Sequence, residues 1–318
     1  MVRNEGAITT VDTMRPPTSR DQLLKFYARH SPITEPGPHS HLFRQLPRDV
    51  GGVARVVQGL IMHPAAAKLY GERPEPDNPG WGYRTMAETL ERILAINSAP
   101  LEVPRPARQR LRANCRNFAV LFVSMLRHQG VPARRRVGFA RYLPGRHSYT
   151  HEIAEYWSAA QGRWILVDPQ NDAPTVAAQR AFFDSIGQPE RARYHTLDVR
   201  SGVDFVLGGE AWRQCRADAA DPDEFRCGRW RGLHEVALTV LQDLDGLNKA
   251  EMLSNESGLA PDEELTSELT AFLDGAAALT ADPDVYFDEL RDYYERSWYG
   301  RAMLSKLRPT DSAPCQGS

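Results

Sequence analysis

The stretch ANCRNFAVLFVSMLRHQGVPAR, residues 113–134, constrains the fold of this chain most strongly. Gly130 and Pro132 predict the end of a helix. Cys115 lies in the first turn of that helix, where the dipole and the free N–H groups favour a thiolate. Taken alone, Cys115 is either a nucleophile or a buried structural thiol. The helix itself is predicted from apolar residues that recur every three or four positions: Phe118, Leu121, Phe122, Met125 and Leu126.

The segments on either side of this helix differ in periodicity. Upstream, Ser19 with Gln22 and Thr85 with Glu88 form capping boxes that predict two helix starts. Downstream, the runs RRRVGFARYL, HEIAEYW and RWILVDP predict strands, the last two as a hairpin, and helical patterns then return. We therefore predict an α+β fold, in which the Cys115 helix packs against a small antiparallel sheet and further helices lie before and after it.

The predicted hairpin carries a histidine on one arm and an aspartate at the end of the other. If its loop centres on Ala159–Ala160, His151 lies directly across from Asp168. Opposed residues of an antiparallel pair project to the same face, with Cβ atoms about 4.5–5.5 Å apart. The aspartate then holds one imidazole nitrogen while the other faces Cys115, as in a Cys-His-Asp triad. The alternative is structural, since an aspartate before a proline often only ends a strand.

These motifs resemble the transglutaminase-like superfamily, whose core shares the papain-like arrangement. The resemblance covers residues 85–172 and is carried by NCRNFAVLFVSMLRHQGVPARRRVGF, HEIAEYW and GRWILVDPQ. It implies that Cys115 is the nucleophile, His151 the base and Asp168 the residue that orients the base. One position departs from the family, which usually has tryptophan after the histidine. Glu152 stands there instead, and strand alternation directs it away from the triad.

The resemblance also suggests how the chain is organised. We expect residues 1–18 to be a disordered leader and residues 19–200 to be a transglutaminase-like catalytic domain with N-terminal helices. Residues 201–318 are expected to form a helical region packed on that core. Besides the backbone N–H of Cys115, the family implies a side-chain donor to the oxyanion, for which Gln109 and Trp81 are the candidates.

Composition excludes several classes of function. The 318 residues carry a net charge of −2. No apolar run approaches the roughly 18 residues of a membrane helix. The N-terminal segment lacks the apolar core of a signal peptide, so we expect a cytoplasmic protein. The four cysteines form no metal-binding pattern, and we expect no metal and no other cofactor. The arginines are not interleaved with aromatic residues, so nucleic-acid binding is not expected.

The arginines are unevenly distributed. Between Val103 and His151 there are 11 arginines and no acidic residue or lysine, whereas residues 261–300 contain 11 acidic residues and two arginines. Either these segments pack on each other, or the arginines form an electropositive surface around Cys115. In the second case Arg112 and Arg116, which flank the nucleophile, would bind an anionic acyl donor.

Three functions remain open on this sequence. The first is transfer of an acyl group from a small or carrier-bound amide or thioester to an amine, in small-molecule metabolism. The second uses the same acyl-enzyme but releases the acyl group to water, as an amidase or cysteine peptidase does. The third is a non-catalytic binding module, which the complete triad disfavours.

Overall fold

A computed structural model of the chain describes residues 18–73, 82–228, 230–256, 258–259 and 264–307. Trp81 and residues 1–17 of the expected leader lie outside the described residues. Thr18, the last residue of that leader, donates to Asp288 from its backbone N–H (2.7 Å) and its hydroxyl (2.5 Å). Within the described ranges no helix is long and apolar enough to span a membrane.

Among the described residues, three α-helices and two short strands precede the cysteine. Two of these helices begin at the predicted capping boxes, which are confirmed. The strands form a parallel pair that brings the end of the second helix beside the segment leading to Cys115. The elements are α1 (Arg20–Tyr27), α2 (Val50–Leu60), β1 (Ile61–Met62), α3 (Met86–Ile96) and β2 (Leu111–Arg112).

Helix α4 (Cys115–His128) is the centre of the first hydrophobic core. Residues 116–127 are all buried, so the helix is enclosed on every side. Helices α2 and α3 pack around it together with the sheet. Gly130, at φ +76°, adopts the left-handed conformation that ends the helix, as the sequence predicts.

The main sheet has β4 as its central strand. Strand β3 pairs antiparallel with β4 along its whole length, from Ala133↔Tyr156 to Ala140↔Tyr149. The other edge of β4 is shared by β5, which pairs with residues 154–158, and β7, which pairs with residues 148–149. Positions 150–153 lie between these two partners, and His151 is one of them. The strands are β3 (Ala133–Ala140), β4 (Ser148–Ser158), β5 (Arg163–Val167), β6 (Phe205–Leu207), β7 (Phe225–Cys227) and β8 (Trp230–Arg231).

The register of the β4–β5 hairpin differs by two residues from the predicted one. The loop, residues 159–162, centres between Ala160 and Gln161 rather than on Ala159–Ala160, and the strands pair from Ser158↔Arg163 to Ala154↔Val167. Continuing this register places Asp168 across from Ile153 and diagonal to His151. Because side chains alternate along a strand, a shift of two residues keeps His151 and Asp168 on the same face.

The region after residue 200 is not purely helical, in contrast to the expectation. Strand β6 joins the sheet beside β3, and β7 and β8 extend it beyond β4. The expected domain boundary at residue 200 therefore falls within one sheet. The remaining helices are α5 (Ala173–Ser185), α6 (Gly208–Arg216), α7 (Leu233–Leu247), α8 (Ser267–Leu279), α9 (Phe287–Arg296) and α10 (Trp298–Leu307). A second hydrophobic core forms around α7.

The arginines preceding His151 pack largely on acidic residues rather than forming a continuous basic surface. Six of the 11 are buried: Arg105, Arg116, Arg127, Arg134, Arg135 and Arg136. Four of these six form ion pairs with carboxylates, several of which come from the C-terminal region. The pairs are Arg127 with Glu251 (2.8 Å), Arg134 with Glu155 (2.6 Å) and Asp284 (2.9 Å), Arg135 with Glu152 (2.8 Å), and Arg136 with Asp243 (2.9 Å) and Glu155 (3.1 Å).

We expect Asp243→Ala to lower the free energy of unfolding by about 3–5 kcal/mol, because it leaves the buried Arg136 with Glu155 alone, a carboxylate that it shares with Arg134. Asp292→Ala is the matched control: Asp292 pairs with Arg296 at 3.0 Å, but both side chains are mostly exposed. That variant should change stability by less than about 1 kcal/mol. Urea unfolding measures the free energy of unfolding of both variants. Equal decreases would contradict a larger contribution from the buried pair.

Candidate active site

Cys115 is the first residue of α4, and its position is fixed by a reciprocal cap. The Asn114 side chain accepts from the N–H of Asn117 (3.3 Å), and the Asn117 side chain accepts from the N–H of Asn114 (3.4 Å). The N–H of Cys115 is among the first-turn donors that a helix leaves without an internal partner. Cys115 is half-buried, whereas the rest of the helix is enclosed. The thiol therefore lies at the accessible end of a rigid element.

His151 connects this thiol to Asp168. Its Nε2 lies 2.9 Å from Oδ2 of Asp168, so Nδ1 is the nitrogen left for Cys115. The Cys115 side chain lies close enough to the ring to help raise the pKa of His151. His151 is 2% exposed and Asp168 is fully buried. The structure thus brings the three residues of the predicted triad together, with the carboxylate behind the imidazole and the thiol in front of it.

Asp168 is held by four hydrogen bonds. Its Oδ2 accepts from His151, from the Tyr142 hydroxyl (2.9 Å) and from Nδ2 of Asn171 (2.7 Å), while Oδ1 accepts from the N–H of Gln170 (2.9 Å). Tyr142 is itself stacked on Tyr194, with ring centroids 3.9 Å apart. Because each contact donates to the carboxylate, they orient it and stabilise its ionised form.

The protonation states of the pair follow from these contacts. Burial opposes the charged imidazole, but the negative charge and hydrogen bond of Asp168 outweigh it and raise the pKa of His151 to about 10. Burial likewise opposes the carboxylate, yet the charge of His151 and the donated hydrogen bonds lower the pKa of Asp168. Near neutral pH the two form an ion pair, with the imidazolium of His151 beside Cys115.

Tyr142, Asn171 and Tyr194 were not found by the sequence reasoning. Asn171 follows Asp168 by three residues, within the motif DPQN, and this spacing is a local signal that could have identified it. Tyr142 lies 26 residues before Asp168 and reaches it only through the folding of the loop after β3. No sequence spacing predicts such a contact.

The two arginines that flank Cys115 have different surroundings. Arg116 is 1% exposed. Its guanidinium donates to four backbone carbonyl oxygens, those of Tyr83, Arg84, Glu251 and Met252. This corrects the expectation that Arg116 binds a ligand, because its donors are already used to hold α4 against the C-terminal region. Arg112 is half-buried, with one nitrogen 3.9 Å from Glu72 and another 3.4 Å from the sulfur of Met62.

The structure describes one of the two candidate side-chain donors to the oxyanion. Oε1 of Gln109 accepts from Nδ2 of Asn97 (2.7 Å), which ties Gln109 to the end of α3. Trp81 lies outside the described residues. Glu152, the family departure, pairs with Arg135 rather than with a triad residue.

A small open pocket, with a cavity volume of about 20 Å³, lies beside the triad-bearing elements. It is lined by Phe118, one turn after Cys115, and by Gln170, two residues after Asp168. His63, Arg110 and Asp172 contribute polar groups to the same wall. Among the residues that the structure describes, no cluster of three or more histidine, cysteine, aspartate or glutamate side chains could hold a metal ion.

Cys115 should react with iodoacetamide faster than Cys215 or Cys227 near neutral pH, because it is accessible and adjoins the imidazolium of His151. Burial raises the pKa of Cys215 to about 11. Although Cys227 is exposed as a residue, desolvation of its thiol and the charge of Glu235 raise its pKa to about 12. Limited labelling followed by peptide mapping measures the order. Faster labelling of Cys215 or Cys227 would support a structural role for Cys115.

Comparison with known families agrees with this geometry. Residues 95–169 match the family model described as the transglutaminase-like superfamily, and the matched range contains Cys115, His151 and Asp168. No curated protein and no solved structure matches the chain. The superfamily supports cysteine-dependent acyl transfer or hydrolysis in general, and the predicted resemblance and α+β class are confirmed. The similarity to the transglutaminase-like superfamily thus extends over residues 95–169 of this chain.

Proposed function

We propose that this protein is a cysteine-dependent acyltransferase, which moves an acyl group from an amide or thioester donor to an amine through a thioester on Cys115. The observation that carries the proposal is the 2.9 Å contact between Asp168 and His151, whose ring also interacts with the Cys115 side chain. A nucleophile, a base and a group that orients the base are the minimum set for acyl transfer at a thiol. The completeness of this set argues against a non-catalytic binding module.

The first half of the reaction forms the thioester. The Cys115 thiolate attacks the carbonyl carbon of the donor, and the C=O electron pair moves to the oxygen, to which the N–H of Cys115 can donate. Collapse of this intermediate breaks the bond to the leaving amine or thiol. The leaving group takes the proton of His151, which becomes neutral while Asp168 keeps its ring oriented.

The second half transfers the acyl group. An amine attacks the thioester carbonyl carbon, and neutral His151 accepts the amine proton. The C–S bond then breaks and returns Cys115 to the thiolate, with His151 again an imidazolium. In hydrolysis, water takes the place of the amine in this step.

We propose a small or carrier-bound acyl donor. The arginines led us to expect an anionic donor, and Arg110 and Arg112 are the residues that would bind it. Arg116 does not take this role, because its guanidinium already donates to backbone carbonyl oxygens. Arg110 lines the pocket beside Phe118 and Gln170, while Arg112 follows it on β2. Asp172 shares that pocket wall and offsets part of the positive charge. We propose a cytoplasmic enzyme that needs neither metal nor organic cofactor.

The acyl-enzyme provides the direct test. When the protein is incubated with candidate amide and thioester donors, its intact mass should increase by one acyl group. Cys115→Ala should show no increment and should lower kcat by at least about 10⁴-fold. Cys215→Ala, which changes a buried thiol in the second core, should behave as the wild type. An increment that survives in Cys115→Ala would contradict the assignment of the nucleophile.

The same experiment separates transfer from hydrolysis. Adding an amine to the isolated acyl-enzyme should accelerate loss of the mass increment in proportion to amine concentration and yield the amide. Loss at one rate with or without amine would identify the protein as an amidase or peptidase.

Asp168→Asn should leave weak but measurable activity, with kcat lowered by up to about 10⁴-fold, because Asp168 orients His151 and does not react. Removing its charge also lowers the pKa of His151 from about 10. The imidazolium loses its proton as pH rises through this pKa, so the alkaline decline of kcat/KM should occur at lower pH in Asp168→Asn than in the wild type. Asp198→Asn, at an exposed pair with Arg163, should leave the profile unchanged. An unshifted limb in Asp168→Asn would contradict the pairing.

A further inference from the structure

His63 lies between the elements that carry Cys115 and Asp168. The β1–β2 pair aligns Met62 with Arg112, and the N–H of Ala113 donates to the carbonyl oxygen of Met62 (3.1 Å). His63 follows directly, so it runs beside the segment that leads into α4. Its side chain lines the pocket together with Phe118 of α4 and Gln170 of the loop after Asp168.

The hydrogen bonding of His63 fixes its tautomer. The N–H of Ala65 donates to Nδ1 of His63 (3.1 Å), so a neutral ring carries its proton on Nε2. Burial, followed by the positive charge of nearby His151, lowers the pKa of His63 to about 4. The ring is therefore neutral at pH 7. Among the described residues, no acceptor is bonded to Nε2–H.

The two histidines consequently differ in what they can do. His151 is held as an imidazolium by Asp168 and can exchange a proton with the leaving group and the amine. His63 has no carboxylate partner and can only offer a fixed N–H. When the environments of two titratable groups shift their pKa values in opposite directions, the two groups can take separate roles in the reaction.

We propose that His63 is a catalytic residue, whose Nε2–H donates a hydrogen bond to the carbonyl oxygen of the acyl group while negative charge develops there. The inference rests on the proposed acyl transfer and deepens it. His63 is the side-chain partner of the Cys115 N–H in this role, in place of Gln109 or Trp81. A neutral donor suits the task because it stabilises the oxyanion without giving up its proton.

The proposed contact is made in both halves of the reaction. When the thiolate adds to the carbonyl carbon, the oxygen gains the C=O electron pair and the Nε2–H···O bond shortens. When the C–N, C–O or C–S bond to the leaving group breaks, the electron pair returns and the hydrogen bond weakens. No proton leaves His63, and the charge changes only on the substrate oxygen.

Two substitutions separate the donor from the structural cap. In His63→Asn, the side-chain oxygen can occupy the position of Nδ1 and accept from the N–H of Ala65, but nothing replaces Nε2–H. In His63→Gln, the amide nitrogen can occupy the position of Nε2 and donate. Thermal unfolding of both variants verifies that each is folded.

Two reactions of the Cys115 thiol then report on the donor. Acylation by p-nitrophenyl acetate passes through an oxyanion, whereas alkylation by iodoacetamide displaces iodide and forms none. His63→Asn should lower the acylation rate by about 10²–10³-fold while alkylation changes less than about twofold. His63→Gln should recover much of the acylation rate.

The outcomes distinguish this inference from the proposed function. If the wild type is acylated and His63→Asn is acylated equally fast, the donor role is overturned and the acyl-transfer proposal stands. Equal falls in acylation and alkylation would also overturn the donor role, since they indicate that His63 only positions the thiol. A His63→Gln variant as slow as His63→Asn would do the same. If wild-type Cys115 is alkylated but never acylated, the proposed function itself fails.

Discussion

Three consecutive buried arginines on β3 are the constraint on which the rest of the structure depends. A buried guanidinium costs several kcal/mol unless a carboxylate lies against it, and Arg134, Arg135 and Arg136 are each at most 2% exposed. Their acids come partly from β4 and partly from the C-terminal region, through Asp243 of α7 and Asp284 before α9. Buried ion pairs therefore join the sheet to the C-terminal region. Gly246 allows α7 to approach β3 closely, since a Cβ there would lie 2.6 Å from the Arg135 carbonyl oxygen.

This network also supports the candidate site. Glu152 and Glu155, which pair with the three arginines, lie one and four residues after His151 on β4. His151 occupies the part of β4 whose second edge lies between β5 and β7. Buried ion pairs that fix the strand just after His151 give a rigid base beside the Cys115 helix. Rigid support of this kind keeps reacting groups in productive geometry.

Two histidines of the same site have pKa values shifted in opposite directions. Asp168, with its four hydrogen bonds, makes His151 a cation, whereas burial and the charge of that cation keep His63 neutral. The charge of the His151 cation thus adds to the effect of burial on the second histidine. One buried carboxylate, oriented by Tyr142 and Asn171, holds His151 in its charged form.

The sequence by itself determined the Cys115 helix, its ends, the capping boxes at Ser19 and Thr85, and the triad candidates, because all of these depend on short-range periodicity and spacing. It also placed His151 and Asp168 on one face of the sheet. The predicted hairpin register differs from the observed one by two residues, but side chains alternate along a strand, so a shift by an even number keeps them on the same face. Only the tertiary structure decided what depends on distant contacts. It assigned Arg116 to backbone carbonyls of Tyr83, Arg84, Glu251 and Met252, supplied Tyr142 to Asp168, and placed His63 beside the triad-bearing elements. Residues that are far apart in the chain come into contact through packing and ion pairing, and local sequence patterns do not predict those contacts.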